Sequence, residues 1–299
     1  MKNLFSIRGF FPYLIILLFN ATVDIGHKIT IQNVLLKSYE DDTLIILTAV
    51  INAMILLPFI LLFSPSGYLS DRYAKTKVIR YAALSSIILA LLITLSYAQG
   101  WFIIAFALTF LLAIQSAIYS PAKYGLIKEL VGIENLGAAN GIIQALTIVA
   151  ILVSSILFSV IFEQYYVGDK LPHLILQNIV PIGWILVALT IMESYLAFKL
   201  PTFEPSEPKE KFEVKRYFNL DYFKTDLKIV QSNRNIWISI IGLSIFWGVG
   251  QLVIAAFPAH YKTMTGDENA IIIQAILAVS AIGIVIGSLL AGRISKLHI

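Results

Sequence analysis

The chain has 299 residues, 58% of them hydrophobic and 13% charged, with a mean hydropathy of +0.83. Soluble domains carry about 25% charged residues, so this composition excludes a water-soluble globular enzyme, and the apolar content excludes disorder. The net charge of +4 resides in loops and does not point to nucleic acid, and the absence of cysteine removes disulfides and thiolate metal or redox sites.

Met1–Arg8 runs into a long apolar stretch without a small-residue cleavage signature, so the first helix reads as retained rather than as a signal peptide. A helical span needs roughly 20 apolar residues. Runs of that kind predict eight spans: Phe10–Leu36, Leu44–Phe63, Val78–Tyr97, Trp101–Tyr119, Leu136–Phe162, Leu174–Phe198, Ile236–His260 and Ala270–Gly292. The short alternation of a membrane barrel is absent, so the fold class is all-α membrane protein. With these spans, 18 of the 22 Lys and Arg residues fall on one side and only Lys28, Lys37, Lys170 and Lys262 on the other. By the positive-inside rule the N-terminus is cytoplasmic, and Glu40, Asp41 and Asp42 lie outside.

Ionisable groups within a span are costly and mark cavities or partners. The first span carries Asn20, Asp24, His27 and Lys28, which share one helical face. Asp24 and Lys28 suit either a structural ion pair or a polar cluster for a zwitterionic head group, with phosphate at Lys28 and ammonium at Asp24. His27 has the titration range of a neutral-pH switch. Gln32 and Asn33 extend the polarity outward. After the second span comes Gly67-Tyr-Leu-Ser-Asp71-Arg72-Tyr-Ala-Lys75-Thr-Lys77, a basic loop with a glycine suited to close helix approach. The fourth span carries Gln115 and, at its inner end, Lys123, which suits either a cavity or a snorkelling cation. It closes with Tyr119-Ser-Pro-Ala-Lys123-Tyr-Gly125, followed by Glu129-Leu and Ala139-Asn140-Gly141. The fifth span contains Gln144, and the sixth contains Glu193, read as the partner of a cytoplasmic lysine.

The polar stretch Lys199–Arg234, with Pro201, Pro205 and Pro208, divides six spans from two. The predicted organisation is a bundle over residues 1–199, a linker over 200–235 and a second bundle over 236–299. Phe212–Ile229 has the pattern of an amphipathic helix on the membrane surface. The seventh span opens Gly242-Leu-Ser-Ile-Phe246-Trp247-Gly248 and carries Gln251. The eighth contains Ala281-Ile-Gly283-Ile-Val-Ile-Gly287 and is followed by Ser288-Leu-Leu-Ala-Gly292-Arg293-Ile-Ser-Lys296. With Arg293 aligned on Arg72, Lys296 falls on Lys75, as in a degenerate second copy of the earlier loop.

The Gly67–Lys77 string resembles the signature loop of the major facilitator superfamily. That resemblance implies two six-helix halves and a gating role for Gly67, Asp71, Arg72 and Lys75, with Arg293 in the second copy. The Tyr119–Gly141 segment, the start of the seventh span and the glycine pattern of the eighth are similar to the bacterial lysophospholipid transporters of that superfamily. The fifth span lacks the proline of the drug/proton antiporter motif, which weighs against a drug exporter. The resemblance implies alternating-access transport of lysophosphatidylethanolamine-like lipid from the outer to the inner leaflet of the cytoplasmic membrane. It also implies a cytoplasmic acyltransferase–acyl-carrier synthetase as partner, fused in some bacteria, and no cofactor. The cavity residues on this reading are Asn20, Asp24, His27, Lys28, Gln115, Lys123, Gln144, Trp247 and Gln251. The chain itself has no phosphate loop, no metal-binding HExxH helix, no nucleophile elbow and no acyltransferase His-Asp pattern. It reads as one six-helix half plus the first two helices of the next, about two-thirds of a transporter core. The competing readings are the membrane domain of a fused acyltransferase and a facilitator of a small solute.

Overall fold

The computed structural model describes residues 4–205, 212–279 and Gly283. Its helices are α1 (Phe10–Ser38), α2 (Asp41–Leu61), α3 (Phe63–Arg72), α4 (Lys75–Ala98), α5 (Phe102–Val131), α6 (Leu136–Tyr165), α7 (Pro172–Asn178), α8 (Val180–Lys199), α9 (Val214–Phe218), α10 (Asp221–Ser232) and α11 (Arg234–Thr265). A shorter apolar helix, α12, covers Ala270–Val279. Seven of these segments are long and apolar enough to cross a membrane. No strand occurs among the described residues.

Seven of the eight predicted spans are present, with boundaries moved for local reasons, and the eighth is described continuously only as far as Val279. The signature loop is helix almost throughout: α3 carries it to Arg72, and only Tyr73 and Ala74 separate α3 from α4. The second span ends at Leu62, as predicted to within a residue, with the Leu62 N–H held by Pro58 O, and helix restarts in the loop with Pro65 in the first turn, where a missing N–H costs nothing. The fourth span extends to Val131, past the predicted Tyr119, and so places Lys123, Gly125 and Glu129 on one continuous helix. The sixth span is split at Ile179, just before Pro181. In the linker, Leu220 adopts a left-handed conformation (φ 59°) that separates α9 from α10, so the single predicted amphipathic helix is two. Asn233 caps α11 by accepting from the N–H groups of Asn235 and Ile236. The rest of the eighth span, the second-copy loop and Arg293 lie outside the described residues.

Large apolar side chains such as Ile60, Ile88, Ile103 and Trp184 point outward, while Ser, Thr, Asn and Gln side chains are buried between helices. That arrangement suits a hydrocarbon surround, where polar groups must be satisfied inside the protein. Tight helix approaches occur at small residues. A Cβ at Gly26 would lie 2.6 Å from the Phe158 ring, joining α1 to α6, and one at Gly183 would lie 2.9 Å from Thr94 Cα, joining α8 to α4. Arg80 ties α4 to the end of α8 by donating to Leu200 O (2.7 Å) and Ala197 O (3.2 Å). One apolar core lies towards this basic end of the bundle, and a second lies towards the far end and includes Ala259, Ala270 and Ile273 of α11 and α12.

Candidate functional site

A cavity of about 400 Å³ lies between α1, α2, α6, α11 and α12. Its walls are mainly aliphatic, and its polar groups include Lys28, Gln32, Asn33, Gln144 and Gln274, with Trp247 at one side. Lys28 is the one charged residue in the described lining. Asn33 is fixed by donating to Ser159 Oγ at 3.1 Å. No ion pair or hydrogen bond engages the Lys28 ammonium among the described residues.

Of the two sequence readings of Asp24 and Lys28, the ion pair is not formed, and a shared head-group cluster is not formed either, because Lys28 lines the cavity and Asp24 does not. Four residues advance a helix by about 40° beyond one turn, and that rotation directs Asp24 to α5 and Lys28 to the cavity. Ser116 Oγ donates to Asp24 Oδ2 at 2.6 Å, and Asp24 Oδ1 is buried without a hydrogen bond. Around this carboxylate gather Asn20 of α1, Lys123 of α5 and Glu193 of α8. Glu193 is fully buried, and neither of its carboxylate oxygens completes a hydrogen bond. It belongs to this polar cluster rather than pairing with a lysine at the membrane edge. The available sequence signal was a lone carboxylate inside an apolar span. Lys123 does not snorkel: its ammonium lies 5.7 and 5.4 Å from the Tyr119 and Tyr124 rings, and its carbonyl accepts from Tyr13 Oη at 2.6 Å.

Three further predicted cavity residues, His27, Gln115 and Gln251, lie outside its lining. His27 is fully buried, with its ring nitrogens against Tyr97 Oη (2.8 Å), Ala105 O (3.1 Å) and Thr109 Oγ1 (3.2 Å). It fixes α1 to α4 and α5. Gln115 donates to Ala82 O at 2.9 Å and faces the outside of the bundle between α4 and α5. Gln144 and Trp247 line the cavity, whereas Gln251 is half-buried on α11 outside the lining.

At the basic end, Lys75 Nζ contacts Glu129 Oε1 at 2.6 Å, joining the two sequence motifs. Gly125 makes room for it, since a Cβ there would lie 2.7 Å from Lys75 Cε. Asp71 and Arg72 are exposed. Gly67 was expected to permit close helix approach, but a Cβ at that position would meet open space. With Asp71, Lys75 and Gly125 it lines a groove instead.

The far end is closed by ionic contacts. Lys262 of α11 donates to Leu36 O (2.9 Å) and Tyr39 O (3.1 Å), satisfying carbonyls at the end of α1. It also meets Glu268 at 3.2 Å, and Glu268 meets Lys170 at 2.5 Å. Glu163 accepts from Ala270 N–H at 2.7 Å and pairs with Lys37 at 2.9 Å, so an anion sits at the start of α12. Burial raises the Glu268 carboxyl, but hydrogen bonds from Lys170 and Lys262 outweigh it and hold the group below its ordinary range. The same bond from Lys170 raises the Lys170 ammonium.

Comparison with known proteins places these features in a family. Residues 13–298 match the Major Facilitator Superfamily profile. The lysophospholipid transporter LplT of Photorhabdus laumondii is 26% identical over 244 residues, covering 82% of this chain and 56% of that protein. The same-named protein of Pectobacterium carotovorum is 26% identical over 247 residues (82% and 53%), and that of Escherichia coli strain SE11 is 27% identical over 286 residues (91% and 66%). The chain spans about half the length of the first two of these relatives. From its apolar helices, its central cavity and this match over nearly all its residues, the chain belongs to the Major Facilitator Superfamily.

Proposed function

We propose that this chain is part of a transporter that moves a lysophospholipid, of the lysophosphatidylethanolamine kind, across the bacterial cytoplasmic membrane by alternating access. The observation that carries this reading is one cation, Lys28, in a largely aliphatic cavity whose described lining holds no other charge. A zwitterionic lipid with one acyl chain matches that chemistry. Its phosphate meets Lys28, its ammonium meets the amide oxygens of Gln32 and Gln144 and the face of Trp247, and its chain runs along the aliphatic wall. Each methylene kept from water is worth about 0.8 kcal/mol, which favours a path that never exposes the tail. The names of the curated relatives support this substrate class.

On this reading the N-terminus is cytoplasmic, transport runs from the outer to the inner leaflet, and a cytoplasmic acyltransferase–acyl-carrier synthetase re-acylates the product. Residues 1–199, 200–235 and 236–299 form a six-helix half, a linker and the start of the second half. The contacts of Lys262, Glu268 and Glu163 close the outer side. Lys75 with Glu129, and the exposed Asp71 and Arg72, act on the inner side. Asp24, with Asn20, Lys123 and Glu193, forms a buried cluster behind the cavity wall.

The test is uptake of labelled lysophosphatidylethanolamine into proteoliposomes holding the full-length protein. Uptake that Lys28→Ala abolishes, and that soluble solutes do not compete for, supports the proposal. Absence of lysolipid uptake by the intact transporter refutes it.

A further inference from the structure

A second cavity, of about 700 Å³, lies on the outside of the bundle between α4 and α5, bounded at one end by the last turn of α3. It shares no lining residue with the central cavity. Its long walls are apolar, with Ile88 on α4 and Leu111, Ile114 and Ile118 on α5. Tyr81 and Ile88 are 63% and 61% exposed, so the groove is open to the outside of this bundle, on helices apolar enough to cross a membrane. Packed apolar atoms gain dispersion energy from contact, and a groove of this size in hydrocarbon is filled by chain.

The ends of the groove differ. At the α3 end stand Lys77 and Tyr73, with the Lys77 ammonium 5.8 Å from the Tyr73 ring centre. Lys77 is exposed, and no carboxylate pairs with it among the described residues. From Lys77 to Ile88 the helix rises about 16 Å, which matches half of the roughly 30 Å hydrocarbon core. Polar contact and apolar slot are thus separated as a phosphate and its acyl chain are separated within one leaflet. The back wall is Gln115, whose Nε2 is committed to Ala82 O.

We propose that this groove is a binding site for a diacyl phospholipid of the surrounding leaflet, distinct from the transport cavity, with the phosphate held by Lys77 and one acyl chain lying between α4 and α5. The site does not depend on what the central cavity carries.

The test uses the protein in nanodiscs doped with a diacyl phosphatidylglycerol bearing a photoreactive group in one chain, and maps the adducts by peptide. Adducts are expected to concentrate on Tyr81–Ile88 and Leu111–Ile118 relative to Ile103 and Trp184, which are also lipid-exposed. Lys77→Ala lowers the groove adducts about fivefold, the worth of one basic contact near the interface. Ser85→Trp fills the slot and removes them, as does Ile88→Trp should the first variant fail to fold, and Lys28→Ala leaves them unchanged. Adducts spread evenly over all exposed helix faces, or persisting in both tryptophan variants, overturn the proposal. Displacement of the probe by excess unlabelled lysolipid, but not by diacyl lipid, overturns its choice of occupant.

Discussion

Replacing Lys28 by Met separates a ligand contact from a structural one. Lys28 lines the cavity from α1, and no carboxylate appears in the described lining. A charged side chain at the centre of a bilayer costs about 2.5–3.5 kcal/mol on insertion scales, and access to the cavity reduces this. Lys28→Met keeps the length and apolar contact of the stem while removing the charge, so the substitution should stabilise the protein by about 1–3 kcal/mol. At about 2–4 °C per kcal/mol, the apparent melting temperature in detergent rises by roughly 2–12 °C. Binding moves the other way. A hydrogen bond to a charged group contributes about 1.5–3 kcal/mol, so lysolipid affinity falls about 10- to 150-fold. The assay is thermal unfolding of the purified variant, with and without lysophosphatidylethanolamine. A lower melting temperature with unchanged ligand-induced stabilisation would refute the reasoning and assign Lys28 to helix packing.

Gly183→Ala should destabilise by up to about 2 kcal/mol, because overpacking against Thr94 Cα costs about 1–3 and the helix preference for Ala returns about 1; Gly141→Ala, which meets open space, should lose nothing in the same melting assay. Glu129→Gln removes the carboxylate from a mostly buried Lys75 and should cost about 1–3 kcal/mol. Gly125→Ala displaces the same lysine, so the double variant should melt close to the worse single one, and full additivity would show that the two sites are uncoupled. The far-end ionic contacts should depend on pH. The lowered Glu268 group contributes above its ordinary range, and that contribution is lost as pH falls through the lowered value. The raised Lys170 group contributes fully below its ordinary range and loses this only as pH rises through the raised value. The contacts are therefore complete at neutral pH and weaken in acid. Because the chain has no cysteine, spin labels on cysteines introduced at Asp169 and Asp267 report this directly. Their distance should widen in acid, and Glu268→Gln should widen it at neutral pH and flatten the response.

The sequence by itself determined the solvent and most of the elements. Long apolar runs and sparse charge require helices in lipid, and the Gly67–Lys77 and Tyr119–Gly141 segments carried the family. The position of Pro181 explains where the sixth span breaks, although hydropathy alone drew it as a single helix. Only the tertiary structure decided which polar residues meet. Asp24 and Lys28 looked like one cluster because they share a helical face, but the remaining 40° of rotation gives one to Ser116 and the other to the cavity. Glu193 joins Asp24, and Glu129 joins Lys75, across helices that the sequence lists far apart. His27 has the chemistry of a switch, and the packing of Tyr97 and Ala105 around it makes it a core residue. The physical reason is general to this solvent. In water, apolarity marks the face that turns inward. In lipid both faces of a span are apolar, so orientation follows from close contacts such as Gly26 on Phe158 and Gly183 on Thr94, which no single helix contains.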